Sequence, residues 1–408
     1  MVSRLKSDAG DPSREWPATL DVDELLQRGW RAQPFRQFLL KVHSRCNLAC
    51  DYCYVYTLAD QSWRSQPMVM DPQLVSVTAR RIAEHADHHG LTSVRVILHG
   101  GEPLLAGHDY LGKIIEIIRA EVGPNLRVDA AVQTNAVLMD EAALRSFCAL
   151  DVRVGVSLDG SPRGNDRNRR YADGRSSYDA VARGLRLLMS EPYRHLYSGV
   201  LCTIDLANDP IETYEALVDF DPPTLDFLLP HATWDSPPPG GGLDRAATRY
   251  ADWLIAIFDR WYDSGSETVI RLFQEIIHVL LGGTSESEAI GLTPTSLVVI
   301  ETDGSIEQTD SLKVVSHGAP ATGLNIVDHS FDAVLRHPGV VARQLGWDAL
   351  SETCKSCRFG RVCGGGLYPH RYRTGDGFQN PSVYCADLYR LIDHVRTRLI
   401  TDLRRSTR

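Results

Sequence analysis

The sequence predicts an α/β protein in which a parallel sheet curls into an incomplete (β/α)6 barrel and a smaller cysteine-rich domain follows. Six short apolar segments alternate with amphipathic helical patterns over about 200 residues, the order expected of such a barrel. Seven of the nine cysteines fall into two clusters, one after the first strand pattern and one near the C-terminus. We therefore divide the chain into an extension (1–34), a barrel (35–235), a linker with helices (236–290) and a cysteine-rich domain (291–408).

The strand patterns are short and rich in Val, Ile and Leu, as expected of strands that are buried on both faces. In barrels of this kind the chemistry lies at the carboxyl ends of the strands, so the residues that follow each strand are the candidates for a site. The strand patterns span residues 38–42, 94–98, 128–133, 152–157, 199–204 and 225–229. The helical patterns between them span residues 74–85, 110–122, 141–150, 178–189 and 212–220.

The chain beyond the barrel begins with a Pro- and Gly-rich run (236–242), which predicts a linker. Two helical patterns follow at 243–262 and 268–281. An Asp-Gly turn between two short strand patterns predicts a hairpin within 297–308. His231, at the end of the last barrel strand, is interpreted as a structural histidine.

The composition argues against several classes of function. The formal net charge of −9 argues against a nucleic-acid partner, whose binding surface would be basic. No run of 18 apolar residues occurs, and residues 1–20 lack the apolar core of a signal peptide, so we expect no membrane partner. Clustered cysteines are typical of metal binding rather than of a disulfide framework, and we expect a cytoplasmic protein.

The first cysteine cluster consists of Cys46, Cys50 and Cys53 at C-x3-C-x2-C spacing. Three thiolates hold three irons of a [4Fe–4S] cluster, whereas a structural zinc ion needs four protein ligands. No further Cys or His follows directly, so one iron keeps an open coordination position. We expect a small molecule to bind at this open iron.

Polar residues follow the next three strand patterns. The second strand runs into Gly100-Gly101-Glu102-Pro103, where the glycines allow close approach of a ligand and Glu102 can accept hydrogen bonds from an ammonium group. The polar side chains at the ends of the third and fourth strands suit a ribose and a carboxylate. Arg169 lies in a basic run that is either a solvated loop or a carboxylate site. The strand-end candidates are Gln133, Asn135, Ser157 and Asp159.

The second cysteine cluster supplies four thiolates, enough for a complete [4Fe–4S] cluster. Zinc also binds four cysteines, and the spacing by itself favours zinc, because zinc ribbons are the commoner use of such a set. The four residues are Cys354, Cys357, Cys363 and Cys385.

The first cluster, with an aromatic residue (Tyr52) before its last cysteine and a Gly-Gly-Glu-Pro motif after the next strand, resembles the radical S-adenosylmethionine (SAM) superfamily. The resemblance implies that the amino and carboxylate groups of SAM chelate the open iron, and that a 5′-deoxyadenosyl radical is formed. It also implies the set of SAM-binding residues. This set is Tyr52, Gly100, Gly101, Glu102, Pro103, Gln133, Asn135, Ser157, Asp159 and Arg169.

The two clusters together resemble radical SAM enzymes with a C-terminal SPASM domain, which modify peptides and proteins. That resemblance implies a second, auxiliary [4Fe–4S] cluster on the four later cysteines, a precursor peptide as substrate, and an electron donor such as flavodoxin or ferredoxin. The segments 363–372 and 380–387 are similar to the maturases of FxSxx-COOH peptide systems, which form three-residue cyclophanes. In these an aromatic ring is joined to the β-carbon of a nearby residue.

The chain departs from the full SPASM pattern, which holds two auxiliary clusters. Thr309 and Leu367 stand where that family has cysteines, and no cysteine occurs between Cys202 and Cys354. We therefore expect two clusters in all. Asp310 matches the aspartate that follows the usual cysteine and is our candidate base. Thioether or formylglycine formation, and a metal-binding protein without catalysis, remain the alternative hypotheses.

Overall fold

The computed structural model describes residues 15–240 and 247–406. The first 14 residues of the predicted extension, the first residues of the helix predicted from residue 243, and the last two residues lie outside the described part. Within that part the predicted fold class is confirmed, because parallel strands alternate with helices and a C-terminal module follows. No described helix has the length and apolar character needed to cross a membrane.

Seven parallel strands form the curved sheet of the barrel, in the order in which they occur along the chain. The six predicted strands are all present, with ends that shift by one or two residues, and a two-residue strand extends the sheet at its far edge. The strands are β1 (Gln37–His43), β2 (Ser93–Gly100), β3 (Arg127–Thr134), β4 (Val152–Ser157), β5 (Tyr197–Thr203), β6 (Thr224–Leu228) and β7 (Val269–Ile270).

Helices pack against the outer face of this sheet, and several begin at an aspartate that accepts a hydrogen bond from a first-turn N–H. Asp71 precedes α2, Asp140 precedes α4 and Asp209 precedes α7. The helices of this part are α1 (Val22–Gln27), α2 (Pro72–His88), α3 (His108–Val122), α4 (Glu141–Ala149), α5 (Pro162–Asn168), α6 (Tyr178–Met189), α7 (Pro210–Val218), α8 (Arg249–Ser264) and α9 (Arg271–Leu280).

The predicted hairpin is present, and it also extends the barrel sheet. β8 (Leu297–Ile300) and β9 (Ser305–Glu307) are antiparallel, and β10 (Ala321–Asn325) pairs with β9. β8 pairs in parallel with β1, so the described strands form one ten-stranded sheet. The backbone groups at the edge of β1 are satisfied by this pairing, which places the C-terminal module beside the first cysteine loop.

The C-terminal module is made of short helices and one long helix. The long helix packs against α8 and α9, and its buried face carries Leu391, Ile392 and Val395. The later cysteines lie on or next to three of these helices. The helices are α10 (Phe331–Val334), α11 (Pro338–Ala342), α12 (Glu352–Ser356), α13 (Gly360–Cys363) and α14 (Cys385–Ser406).

Candidate active site

A cavity of about 190 Å³ lies at the carboxyl ends of the barrel strands, and we call it the cofactor cavity. It brings together most of the residues that the sequence singled out, from the ends of four neighbouring strands. The predicted residues on its wall are Cys46, Cys50, Tyr52, Cys53, Gly100, Gly101, Gln133, Asn135, Ser157 and Arg169. Four other predicted residues do not line it, namely Glu102, Pro103, Asp159 and Asp310.

The cysteine loop carries hydrogen-bond donors that point at sulfur. The N–H of Leu48 donates to Sγ of Cys46 at 3.4 Å, and Nδ2 of Asn135 lies 3.7 Å from the same sulfur. Burial raises the pKa of the Cys46 thiol to about 12 and that of Cys50 to about 11, so thiolates at these positions need a cationic group beside them. Iron supplies that positive charge, and the donors to sulfur suit thiolate ligands.

Gly100 and Gly101 are glycines because the strand end packs against the cysteine loop. A Cβ on Gly101 would lie 1.8 Å from the Tyr56 hydroxyl and 2.4 Å from the Arg45 carbonyl oxygen, and one on Gly100 would lie 2.2 Å from the His43 carbonyl oxygen. The N–H of Gly101 donates to that His43 oxygen at 2.9 Å. The structure shows a close approach of the loop that carries the cysteines. Both glycines also line the cofactor cavity, and their close approach to a ligand stays a prediction.

Glu102 lies behind the cavity wall and is 1% exposed. Its Oε1 accepts hydrogen bonds from the Leu104 N–H at 2.9 Å and the Thr134 hydroxyl at 2.6 Å, and its Oε2 accepts from the Asn135 N–H at 2.7 Å. Pro103 is buried in the turn that follows. The carboxylate thus ties the end of β2 to the end of β3. Direct contact with the SAM ammonium stays a prediction, and the structure gives Glu102 a positioning role.

Arg169 and Tyr52 form one hydrogen-bonded unit at the cavity wall. A guanidinium NH of Arg169 donates to the Tyr52 hydroxyl at 2.9 Å, and that hydroxyl donates to Oδ2 of Asp159 at 2.5 Å. Asp159 also accepts from the Thr203 N–H at 3.0 Å and supports the pair from behind the wall. The buried Nε of Arg169 has no hydrogen-bond partner among the described residues, which suits a bound carboxylate.

The ends of β3 and β4 present amide and hydroxyl groups to the same cavity. Nε2 of Gln133 donates to the Ser157 hydroxyl at 3.0 Å, and Nδ2 of Asn135 donates to Oδ1 of Asn47 at 2.8 Å. Gln133 also fills the space beside Gly155, where a Cβ would lie 2.3 Å from its Oε1. These polar groups suit the hydroxyls of a ribose.

Asp310 is buried against Lys41 and lies next to the cavity wall, not on it. Nζ of Lys41 lies 2.5 Å from Oδ2 of Asp310 and 3.5 Å from Nδ1 of His99, which does line the cavity. Burial acts to raise the pKa of Asp310, but Lys41 and Lys313 outweigh it, so the net pKa is below its usual value and the carboxylate is ionised. Its role as a base stays a prediction.

The sequence analysis missed several residues on the cavity wall. Tyr54 and His99 adjoin predicted motifs, Thr203 ends β5, and His231 follows β6, so a search of every strand end would have found them. His231 was interpreted as structural. In the structure it lines the cavity, and its ring contacts Tyr54 with centroids 4.9 Å apart. Its Nδ1 is buried and has no hydrogen-bond partner within residues 15–240 and 247–406.

The four later cysteines fit an iron–sulfur cluster better than zinc. Zinc at 2.3 Å from four sulfurs would hold them about 3.8 Å apart. Among the described residues, which include all four cysteines, no three Cys sulfurs lie within 4.8 Å of one another. The N–H of Phe359 donates to Sγ of Cys357 at 3.4 Å, as at the first cluster. A four-iron cube spreads its ligands over separate corners and suits this wider arrangement.

Residues 40–220 match the family model of the Radical SAM superfamily. These residues therefore form a radical SAM domain. The cofactors of the chain are SAM, a three-cysteine [4Fe–4S] cluster and an auxiliary [4Fe–4S] cluster, and the donor sets described above fit them.

Curated relatives and solved structures resemble this chain over most of its length. The cysteine-type anaerobic sulfatase-maturating enzyme of Clostridium perfringens is 24% identical over 372 residues, which is 90% of this chain and 98% of that protein. The serine-type enzyme of Klebsiella aerogenes is 25% identical over 368 residues, 89% of this chain and 85% of that protein.

Two solved structures share the fold. The structure titled native anSMEcpe with bound AdoMet and Cp18Cys peptide superposes with a TM-score of 0.77 at 24% identity, covering 90% of this chain and 98% of that chain. Streptococcus suis SuiB bound to precursor peptide SuiA gives a TM-score of 0.55 at 14% identity, covering 89% of this chain and 78% of that chain.

Proposed function

We propose that this radical SAM enzyme modifies a ribosomally made precursor peptide by joining an aromatic ring to the β-carbon of a nearby residue. The observation that carries the peptide assignment is a second cavity, of about 330 Å³, between the barrel and the C-terminal module. It shares Leu228, Leu229 and His231 with the cofactor cavity, so a chain segment placed there reaches the reactive site. Both structural neighbours described above hold a peptide.

The residues of the cofactor cavity and of the C-terminal module hold SAM and the two clusters. Cys46, Cys50 and Cys53 hold one cluster, and Arg169 pairs with the SAM carboxylate through its unpartnered Nε. One-electron reduction of SAM bound at this site would supply a 5′-deoxyadenosyl radical, which removes hydrogen from an unactivated carbon. The walls of the cavity exclude water from that reaction. The cysteines of the C-terminal module, named above, hold the auxiliary cluster.

Cross-link formation removes two hydrogens from the peptide. One leaves the β-carbon as a hydrogen atom, and after the new carbon–carbon bond forms the ring loses a proton and one electron to regain aromaticity. The auxiliary cluster held by the later cysteines would accept that electron. The proton needs an acceptor near the cavity. Asp310, kept ionised by Lys41, is the proposed acceptor, and His99 on the wall contacts the same ammonium.

Formylglycine formation is the second candidate function. The curated relatives described above are sulfatase-maturating enzymes of the cysteine and serine types, which favours oxidation of a cysteine or serine side chain. This reaction also removes hydrogen from a β-carbon and needs a proton acceptor. The cyclophane proposal rests instead on the residues of segments 363–372 and 380–387.

Two synthetic peptides distinguish these functions. One ends in Phe-Ala-Ser-Ala-Ala, and the other is the Cp18Cys peptide that the solved neighbour holds. Each is incubated with reconstituted enzyme, SAM and dithionite, and the products are fragmented in a mass spectrometer. A loss of two hydrogens with suppressed cleavage between the joined residues supports the cyclophane. A free aldehyde on the Cp18Cys peptide supports formylglycine formation, and 5′-deoxyadenosine without any altered peptide contradicts both.

A further inference from the structure

The 330 Å³ cavity, which we call the side cavity, adjoins the cofactor cavity at the end of β6. Leu228, Leu229 and His231 form the shared wall, and the opposite wall includes Leu367 and His370 of the C-terminal module. Leu367 stands where the SPASM family has a cysteine, so an apolar side chain borders this space. A substrate segment bound in the side cavity would therefore lie directly beside the cofactor cavity.

Two histidines at this junction carry polar atoms without partners. His370 is 1% exposed, and neither of its ring nitrogens has a hydrogen-bond partner among the described residues. Nδ1 of His231 is also buried and has no hydrogen-bond partner among the described residues. The two ring centroids are 6.2 Å apart, and the other ring contacts are edge-on, from Tyr54 to His231 and from Tyr384 to His370. Buried polar groups in native proteins are normally paired, so three unpaired nitrogens in one place indicate a missing ligand.

The chemistry of the two rings defines that ligand. Burial lowers the pKa of His231 to about 4, and burial together with His231 and Arg371 lowers the pKa of His370 well below its usual value. Both rings are therefore neutral at physiological pH, and each offers one N–H donor and one lone-pair acceptor. A peptide amide offers the complementary carbonyl oxygen and N–H. A carboxylate has no hydrogen-bond donor, and an ammonium group has no acceptor.

We propose that His231 and His370 bind backbone amides of the substrate peptide at the junction of the side cavity and the cofactor cavity. The inference rests on the proposed peptide substrate and names the contacts that hold it. Both histidines are positioning residues, since they fix the segment whose side chain enters the cofactor cavity. They act in the same way whichever modification the enzyme performs.

A binding assay without turnover tests the inference. The probe is a fluorescein-labelled 18-residue peptide ending in Phe-Ala-Ser-Ala-Ala, added to reconstituted, SAM-loaded enzyme without reductant, and Kd is read by fluorescence polarisation. His231→Phe and His370→Phe keep a ring and remove the nitrogens, and each is expected to weaken binding about five- to tenfold. His370→Gln keeps one donor and one acceptor and is expected to restore most of the affinity.

His85→Phe is the matched control. His85 is also buried, but its Nε2 accepts from the Phe35 N–H at 3.0 Å and its Nδ1 lies 2.6 Å from Oδ1 of Asp332, and it lines neither cavity. This variant is expected to lower Tm and leave the Kd of the peptide unchanged.

Two outcomes overturn the inference. One is an unchanged Kd in both Phe variants, which would show that the ring nitrogens do not bind the peptide. The other is that the parent enzyme binds neither this probe nor a fluorescein-labelled Cp18Cys peptide. Because the assay needs no turnover, loss of binding in the variants supports the inference even where mass spectrometry finds no modified product, so the two proposals fail separately.

Discussion

Lys41 and Asp310 form an ion pair inside the protein, with Nζ of Lys41 2.5 Å from Oδ2 of Asp310 and both side chains less than 10% exposed. The two residues come from β1 and from the turn after β9, segments that the β1–β8 pairing brings together. His99 contacts the same ammonium and lies on the cofactor cavity wall. The ion pair therefore keeps the Asp310 carboxylate ionised behind His99, which lines the cavity.

Asp310→Asn should separate radical formation from product formation. Hydrogen abstraction needs only the cofactor site, so 5′-deoxyadenosine is expected to form in the presence of peptide. Modified peptide should fall about 10²–10⁴-fold, because the proton acceptor is lost. Quantifying both products by mass spectrometry checks this, and a parallel fall of the two would make Asp310 a structural residue.

Lys41→Gln should change the pH profile. Without the ammonium of Lys41, one of the charges that lower the pKa of Asp310 is lost. That pKa therefore rises, and the carboxylate takes up its proton at a higher pH. The acid limb of the kcat profile is expected to move to higher pH. Lys113→Gln, on the exposed side of α3, is the control with the same change of charge. Identical profiles for both variants would remove Lys41 from this role.

Gly101→Ala should abolish loading of the first cluster. The new Cβ would lie 1.8 Å from the Tyr56 hydroxyl and 2.4 Å from a backbone oxygen, so the cysteine loop has to move. Iron is expected to fall to about half of the parent content, measured after anaerobic reconstitution. Gly112→Ala in α3 is the control, because its Cβ would meet only side-chain ends at 3.2 Å.

The cluster count is directly measurable. Two [4Fe–4S] clusters give close to eight irons per chain, and changing Cys46, Cys50 and Cys53 together to Ala should leave about four irons and no SAM cleavage. Iron, sulfide and zinc analysis checks this. Close to twelve irons in the parent, or zinc bound by the four later cysteines, would refute the count.

Glu307→Gln should change how stability depends on pH. Burial and the neighbouring Glu301 raise the pKa of Glu307 to about 8, so between about pH 4.5 and 8 the folded state holds a proton that the unfolded chain has released. The parent therefore loses stability as pH rises through this window. The Tm advantage of Glu307→Gln should grow by about 3–5 °C from pH 5 to 8.5. Glu352→Gln, an exposed site, should show no such trend.

The sequence by itself determined the order of strands and helices and the two cysteine clusters. It also determined which strand ends carry polar residues, because these features depend on local periodicity and spacing. Ten predicted residues meet in one cavity since parallel strands end at the same edge of a sheet.

Tertiary structure alone decided which side chains face that cavity. Glu102 and Asp159 follow predicted strands, yet both turn behind the wall, because their oxygens accept hydrogen bonds from neighbouring strand ends. The direction of a side chain depends on partners that lie far away in the sequence. Gly101 packs on the cysteine loop, Asp310 meets Lys41 through the β1–β8 pairing, and His370 meets His231 only when the C-terminal module closes against the barrel. No local pattern encodes these contacts.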